Sequence, residues 1–154
     1  MKTAEFETIL VAIDFLEANP DVVATAIGLN KIHGGKLWLV YADDSAPYFH
    51  SPEREDASGT ATLDTGSIDT NAALAKIRKQ LSKAETAAKF VLLDGPAAEN
   101  ILEKAVEIGA DLIVIGAHRH GRLYPILFGD TGDEIMRRAP CPVLVVPRKS
   151  GKNA

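Results

Sequence analysis

The stretch Asp111–Gly132, D-L-I-V-I-G-A-H-R-H-G-R-L-Y-P-I-L-F-G-D-T-G, decides the fold of this chain. It contains the unbroken apolar run Leu112–Ile115, which is typical of a parallel strand that is covered on both faces. Gly116 ends this run, and Gly129 stands just before a predicted helix. Open α/β proteins bind ligands at the carboxyl ends of their strands, and a helix start presents backbone N–H groups to an anion. The stretch therefore predicts a ligand site.

Strand and helix patterns alternate along the whole chain. We predict strands at Ile9–Ile13, Leu37–Tyr41, Phe90–Leu93, Leu112–Ile115 and Val143–Val146. We predict helices from Pro20 to the Gly34-Gly35 pair, from about Asp69 to Ala84, from Pro96 to Gly109 and from Gly132 to Ala139. Helix-length crossovers between successive strands require right-handed connections, so the fold class is α/β. The expected architecture is a single doubly wound, Rossmann-like parallel sheet of five strands with helices on both faces.

The third helix has the clearest amphipathic pattern. Its predicted buried stripe consists of Ala98, Ile101, Leu102, Ala105 and Val106. Its predicted solvent side consists of Glu99, Glu103, Lys104 and Glu107. We expect this helix to lie against the sheet through the apolar stripe.

Composition limits the classes of function. We assign residues 1–148 to one domain, with 45–67 as a long flexible loop that lacks any period and 149–154 as a short basic tail. A formal net charge of −4 gives no electrostatic drive toward nucleic acid. The single cysteine, Cys141, cannot form an internal disulfide, and no apolar run approaches the roughly 20 residues of a membrane span. We therefore expect a cytoplasmic protein that binds neither nucleic acid nor membrane.

Three segments closely resemble the universal stress protein family. They are I-L-V-A-I-D at 9–14, G-P-A-A-E-N-I-L-E-K-A-V-E-I-G-A-D-L-I-V-I-G-A-H at 95–118, and I-M-R-R-A-P-C-P-V-L-V-V-P at 135–147. The resemblance covers nearly the whole chain except the loop. It implies the strand order 3-2-1-4-5 and a homodimer whose C-terminal strands meet across a two-fold axis. Many members of the family bind ATP or a related adenine nucleotide, and others bind none.

The resemblance also implies a phosphate-binding signature, which this chain keeps only in part. Nucleotide-binding members carry a glycine, two residues, a glycine, nine residues, a glycine and then Ser or Thr. The outer glycines correspond to Gly116 and Gly129, whereas Arg119 replaces the middle glycine and Asp130 replaces the hydroxyl residue. Gly121, two residues after Arg119, is open as a substitute. Ionised Asp130 repels a polyphosphate and, as a good N-cap, can occupy the helix N–H groups itself.

A group of basic side chains follows the fourth strand and offers other donors to a phosphate. The group consists of His118, Arg119, His120 and Arg122. Arginine binds phosphate through its planar fork, so these side chains can replace a lost backbone cradle. The alternative is that they pair with the acids of the last helix, Asp130, Asp133 and Glu134. We assign no metal site, because no third ligand accompanies the two histidines.

The resemblance places the nucleoside end of the site at the ends of the first two strands. Asp14 is the family's nucleoside contact, Ala12 stands where many members have proline, and Tyr41 ends the strand beside the base. The residue types also permit a turn role for Asp14 and a core role for Tyr41. Ile115 and Thr131, which adjoin the glycine signature, complete the candidate nucleotide site.

Three functions remain open at this point. The first is a regulatory protein that binds ATP, ADP or AMP, with Mg²⁺ as a candidate bridge to Asp130, and acts as a dimeric stress-response switch for protein partners that the sequence does not identify. The second is a nucleotide-independent dimeric interaction module whose phosphate site Asp130 closes. The third, weak ATP hydrolysis or autophosphorylation, ranks last because the chain has no Walker lysine motif and no nucleophile–base pair. We assign no catalytic residues.

Overall fold

The computed structural model of the protein describes residues 5–13, 20–43, 70–117 and 129–147. The strands in these ranges are β1 (Thr8–Ile13), β2 (Lys36–Asp43), β3 (Lys89–Asp94), β4 (Leu112–Gly116) and β5 (Val143–Val146). The helices are α1 (Pro20–His33), α2 (Thr70–Lys83), α3 (Ala97–Ile108) and α4 (Gly129–Arg138). The predicted loop at 45–67 and the tail at 149–154 lie outside the described residues.

The strands form one parallel sheet in the order β3-β2-β1-β4-β5. In the register of the central strands, Val11 lies beside Leu39 on one side and beside Val114 on the other. Gly116 lies beside Val146 at the end of β4. The predicted α/β class and the doubly wound five-stranded sheet are therefore confirmed. The main differences are that β2 continues to Asp43 and that α4 begins at Gly129 rather than at Gly132.

Helices cover the sheet on two sides, which we call the first face and the second face. Alternate residues of a strand project to opposite faces, so each strand contributes to both cores. The first face carries α1 and α2, through Val22, Val23, Ala26, Ile27, Ala73, Leu74, Ile77 and Leu81. The second face carries α3 and α4, through Ala98, Ile101, Leu102, Ala105 and Ile135. Both faces of the central strands are consequently out of water, as their unbroken apolar runs predict.

The predicted stripe of α3 was wrong at two positions. Lys104 is buried at 5% relative exposure, whereas Val106 is 67% exposed. The Lys104 Nζ lies 5.5 Å from the centre of the Trp38 ring and 3.2 Å from Glu107 Oε1. A lysine can bury its aliphatic stem between helix and sheet when its ammonium rests on an indole and meets a carboxylate. The predicted end of α3 is correct, because Gly109 adopts the left-handed φ of 64° that ends a helix.

The start of β1 is held from both sides at the amino edge of the sheet, where the strands begin. On one side, the Lys36 N–H donates to the Glu7 carbonyl oxygen at 2.6 Å. A Cβ on Gly35 would overlap that oxygen and lie 2.6 Å from the Glu7 carbonyl carbon. On the other side, Asp111 Oδ2 accepts hydrogen bonds from the Glu7 N–H at 3.1 Å and the Thr8 N–H at 2.9 Å. Only glycine fits at position 35, and β1 therefore enters the sheet in a fixed register.

Candidate functional site

The carboxyl edge of the sheet, where all strands end, is also where α1, α3 and α4 begin. The chain leaves β1 toward α1 on the first face, and it leaves the neighbouring strand β4 toward α4 on the second face. Two adjacent strands that send the chain to opposite faces open a crevice between them, which is the usual ligand position in doubly wound folds. The crevice between β1 and β4 is therefore the candidate site.

The end of β4 borders this crevice and is firmly held. Ile115 is buried against the second face, and Gly116 lies beside Val146 of β5. The Ala117 N–H donates to the Val146 carbonyl oxygen at 2.9 Å, which continues the pairing one residue beyond the strand. The backbone at Gly116 is thus fixed relative to the sheet up to the point where the chain leaves it.

The start of α4 faces the same edge. Ile135 is 1% exposed and anchors the helix on the second face, whereas Thr131 in the first turn is half-buried. The first N–H groups of an α-helix have no partner within the helix, and the helix dipole makes this end positive. The helix therefore directs its anion-attracting end toward the carboxyl edge.

An exposed arginine near the end of α4 links this helix to α3. Arg138 Nη1 donates to Glu134 Oε1 at 2.5 Å and to Glu99 Oε1, in the first turn of α3, at 3.2 Å. These hydrogen bonds, first that of Glu134 and then that of Glu99, raise the pKa of Arg138 above its usual value. Glu134, one of the acids that the sequence offers as a partner for His118 and Arg119, is therefore already engaged by Arg138.

Several predicted site residues fall outside the described residues. These are Asp14, His118, Arg119 and Gly121, together with His120 and Arg122 of the basic group. Gly129 and Asp130 belong to the first turn of α4 by their backbone, but the side chain of Asp130 is also outside the description. Whether Asp130 caps the helix stays a prediction.

The structure separates the two residues predicted near the base. Ala12 packs on the second face, the side of α4, whereas Tyr41 packs on the first face. The register explains this arrangement, because Ala12 lies beside Val40 and Tyr41 lies beside Ile13, so the two side chains project to opposite sides. The two predicted residues do not line one surface.

Two residues that the sequence reasoning did not select lie on the same side as Ala12. Ala42 follows Tyr41 in β2, and Leu93 lies beside it in β3; both are half-buried on the second face. Together with Ala12 they form a small apolar surface near the ends of β1, β2 and β3, which we call the apolar step. Both residues can be identified from the alternation of side chains along a strand, provided that β2 is known to continue past Tyr41.

The described residues offer little for covalent or metal chemistry. Cys141 lies near the amino edge, and burial, with a smaller effect of the Asp111 charge, raises the pKa of its thiol. A thiol with a raised pKa is a poor nucleophile at neutral pH. Within the described ranges there is no group of three His, Cys, Asp or Glu side chains placed to hold a metal ion. In the same ranges, no helix has the length and apolar character needed to cross a membrane.

Comparisons with known proteins agree with this architecture. The model of the universal stress protein family matches residues 5–147. The universal stress protein in the QAH/OAS sulfhydrylase 3' region of Thermus aquaticus is 31% identical over 143 residues, which is 92% of this chain and 98% of that protein. The universal stress protein from Archaeoglobus fulgidus in complex with dAMP is similar in structure, with a TM-score of 0.64, 21% identity, and coverage of 91% of this chain and 97% of that one. Another universal stress protein, in complex with cAMP, is similar in structure, with a TM-score of 0.64, 20% identity, and coverage of 94% of this chain and 99% of that one.

Proposed function

Because the chain belongs to the universal stress protein family, we propose that it is a regulatory protein that binds an adenine nucleotide in the crevice between β1 and β4. The observation that carries this proposal is the placement of Gly116 at the end of β4 and Gly129 at the start of α4, on the two sides of one exit loop. Related proteins hold dAMP or cAMP. The fold of this chain is similar to theirs, which supports the proposal.

In the proposed complex the phosphate lies at the start of α4. Gly116 and Gly129 let the backbone approach the phosphate oxygens, and the Thr131 hydroxyl is a further donor. Arg119 and His118 supply side-chain donors where the family signature has lost its middle glycine, and Gly121 is the candidate substitute for that glycine. The positive end of α4 favours an anion at this position.

In the same complex the adenosine lies on the second face. The phosphate position at α4 and the apolar step of Ala12, Ala42 and Leu93 are on the same side of the sheet, which supports this orientation. Short side chains at the first two positions leave depth for a flat base next to Ile115. Asp14, which follows β1, is proposed to accept hydrogen bonds from the ribose hydroxyls. Tyr41 packs on the first face and is not part of this slot.

The charge of Asp130 sets the preferred number of phosphates. A carboxylate in the first turn of α4 repels the outer phosphates of ATP more than the single phosphate of AMP. The nucleotides named with the two related structures, dAMP and cAMP, each carry one phosphate. We therefore propose AMP as the preferred ligand in the absence of a divalent cation, with Mg²⁺ restoring ATP binding by bridging Asp130 to a phosphate.

The same residue supports a second candidate function. If the Asp130 carboxylate caps α4, it occupies the N–H groups that a phosphate needs, and the protein acts as an interaction module without nucleotide. In both functions we propose a homodimer through β5. This strand ends the sheet, so its outer backbone groups have no partner strand among the described residues, and Leu144 on it is exposed.

Calorimetric titration with AMP, ADP and ATP, each with and without Mg²⁺, tests the proposal. We expect AMP to bind more tightly than ATP without Mg²⁺, and Asp130→Ser to strengthen ATP binding. Asp133→Ser is the matched control, because it removes the same charge from an exposed position of α4 one residue beyond the first turn. If none of the nucleotides binds to the wild type or to Asp130→Ser, the nucleotide function is excluded. Native mass spectrometry of the same samples reports the subunit number.

A further inference from the structure

Helix α2 carries a row of lysines on its solvent side. Lys76, Lys79 and Lys83 are exposed and lie on the side of the helix away from the buried Leu74 and Ile77. The helix from Thr70 to Lys83 contains no acidic residue. The ion pairs of the described residues do not include any of these three lysines. We call Lys76, Lys79 and Lys83 the basic row.

Helix α3 carries a row of the opposite sign. Glu99, Glu103 and Glu107 follow one another at intervals of four residues and are exposed. Glu99 meets Arg138 and Glu107 meets Lys104, whereas Glu103 takes part in no ion pair among the described residues. The exposed Val106 lies on the same side of the helix and adds apolar area beside the carboxylates. We call the three glutamates the acidic row.

The two rows match in length but cannot meet within one molecule. At 1.5 Å per residue, the basic row spans about 10 Å along its helix and the acidic row about 12 Å. The basic row lies on the first face and the acidic row on the second, with the sheet between them. Like charges three or four residues apart on a helix repel each other, and among the described residues this repulsion is uncompensated in the basic row, whereas in the acidic row only Glu103 lacks an ion-pair partner. A partner row of opposite sign would give counter-charges to the three lysines and to Glu103.

We propose that the basic row of one molecule docks on the acidic row of a second copy of this chain. A net charge of −4 opposes binding to a long polyanion such as nucleic acid, whereas a second copy presents carboxylates over a matching length. Because the two surfaces differ and lie on opposite faces, the contact is head-to-tail and does not close on itself by a two-fold axis. The inference goes beyond the proposed nucleotide function and does not depend on it.

This association differs from pairing through β5 in its response to salt and concentration. A contact between exposed charges weakens steeply with salt, because the Debye length falls from about 20 Å or more at low ionic strength to about 4 Å at 0.5 M. In sedimentation equilibrium near 20 mM salt, we expect the average mass to rise with protein concentration beyond that of a dimer. In about 0.5 M salt we expect that growth to disappear.

Charge-reversal variants identify the surfaces. The double variant Lys79→Glu with Lys83→Glu should lower the association constant obtained from the mass increase at least tenfold. The double variant Glu99→Lys with Glu103→Lys should lower it by a similar factor. Glu107 is kept because it pairs with buried Lys104. Lys31→Glu with Lys36→Glu is the matched control: it makes the same charge change at exposed positions outside both rows and should leave growth at low salt in place. All variants should keep the circular dichroism spectrum of the wild type, since the changed side chains are exposed. Because Glu99→Lys also breaks the contact with Arg138 of α4, Glu103→Lys alone is a further variant that should weaken the association while that contact stays in place.

A mixture of the two row variants gives the decisive result. Each variant alone has two rows of the same sign, whereas the mixture again offers opposite rows, so we expect growth only in the mixture. The proposal is overturned if the mass of the wild type is independent of salt and concentration, or if the control variant loses growth as the basic-row variant does. It is also overturned if the mixture stays unassociated, or if Lys79 and Lys83 retain an RNA oligomer or an anionic vesicle without any self-association.

Discussion

Asp111 and Thr8 hold each other by a reciprocal pair of hydrogen bonds. The Thr8 N–H donates to Asp111 Oδ2 at 2.9 Å, and the Asp111 N–H donates to the Thr8 carbonyl oxygen at 2.8 Å. This pair of hydrogen bonds sets the register of β1 against β4 at the amino edge. This register aligns Ile9 with Leu112. The same register determines where the ends of the two strands lie at the candidate site.

Asp111→Ala should therefore lower the free energy of unfolding by about 1–3 kcal/mol, because two backbone N–H groups lose their acceptor. Asp111→Asn keeps one carbonyl oxygen on the side chain and should cost less. Urea unfolding followed by circular dichroism measures both values. An alanine variant that unfolds at the wild-type midpoint would show that water replaces the carboxylate without cost.

Two glycines should respond to alanine with opposite signs. Gly35→Ala should destabilise by about 1–3 kcal/mol or more, because its Cβ would overlap the backbone of Glu7. Gly28→Ala, in the middle of α1, should stabilise by about 0.5–1 kcal/mol, because no atom of the described residues beyond the surrounding turns of the helix lies within 4 Å of the added Cβ. Thermal unfolding of the pair tests the close approach at the amino edge. Equal effects of the two substitutions would contradict it.

Arg78 of α2 has a buried polar edge that finds no acceptor among the described residues. Its guanidinium lies 5.5 Å from the centre of the Phe90 ring, and its Nε and Nη2 atoms are buried without a hydrogen-bond partner in the described ranges. Methionine can keep the packing of the side-chain stem on Phe90 and removes these unpaired donors, each of which costs about 1–3 kcal/mol. Arg78→Met should therefore stabilise the protein in chemical denaturation. The exposed neighbour Lys79→Met should change stability by less than about 0.5 kcal/mol. A clear loss of stability in Arg78→Met would contradict this account.

The proposed base slot predicts a difference between two adjacent residues of β2. Ala42→Leu fills the apolar step on the second face and should weaken AMP binding at least tenfold. Tyr41→Phe changes the opposite face and should alter AMP affinity by less than about threefold, or below 0.7 kcal/mol. Calorimetry on both variants gives the comparison, with thermal unfolding to confirm that each is folded. Loss of affinity in Tyr41→Phe alone would place the base on the first face.

The thiol of Cys141 should react slowly with alkylating reagents. Burial raises its pKa, so at a given pH the folded protein holds less thiolate than an unfolded chain. The rate of reaction with iodoacetamide should therefore keep rising with pH through the range where an ordinary thiol has already levelled off. The same measurement in urea is the control and should be faster at every pH below that range. A plateau at lower pH in the folded protein would contradict the raised pKa.

The sequence predicts most of the fold because its central strands are buried on both faces. Runs such as Leu112–Ile115 are typical of such strands, and Pro20 and Gly109 mark helix ends by their backbone restrictions. The predicted stripe of α3 is wrong at Lys104 and Val106 because the prediction considers only whether each residue is polar or apolar. Burial depends instead on what the neighbouring layer offers, and here Trp38 receives the lysine.

The candidate site is less predictable for a similar reason. Gly116 ends β4 as the sequence predicts, whereas Gly129 is the first residue of α4 and not a loop residue before a helix that begins at Gly132. Which residue of β2 comes nearest to the base depends on where β2 ends, because successive residues of a strand project to opposite faces of the sheet. Tyr41 was selected because the resemblance places the end of the second strand beside the base, and the predicted strand ended at Tyr41. In the structure β2 continues to Asp43, and Ala42 lies on the second face, where we propose the adenosine.

Trp38 is the only tryptophan of the chain, and its ring lies within 5.5 Å of both the Lys104 Nζ and the Lys89 Nζ. Its fluorescence therefore reports on one layer of the molecule alone. Separation of α3 from the sheet would let water reach the indole and shift its emission to longer wavelength, while melting of α2 on the other side would leave the spectrum unchanged. The protein thus carries a built-in optical probe that can tell which of its two cores opens first.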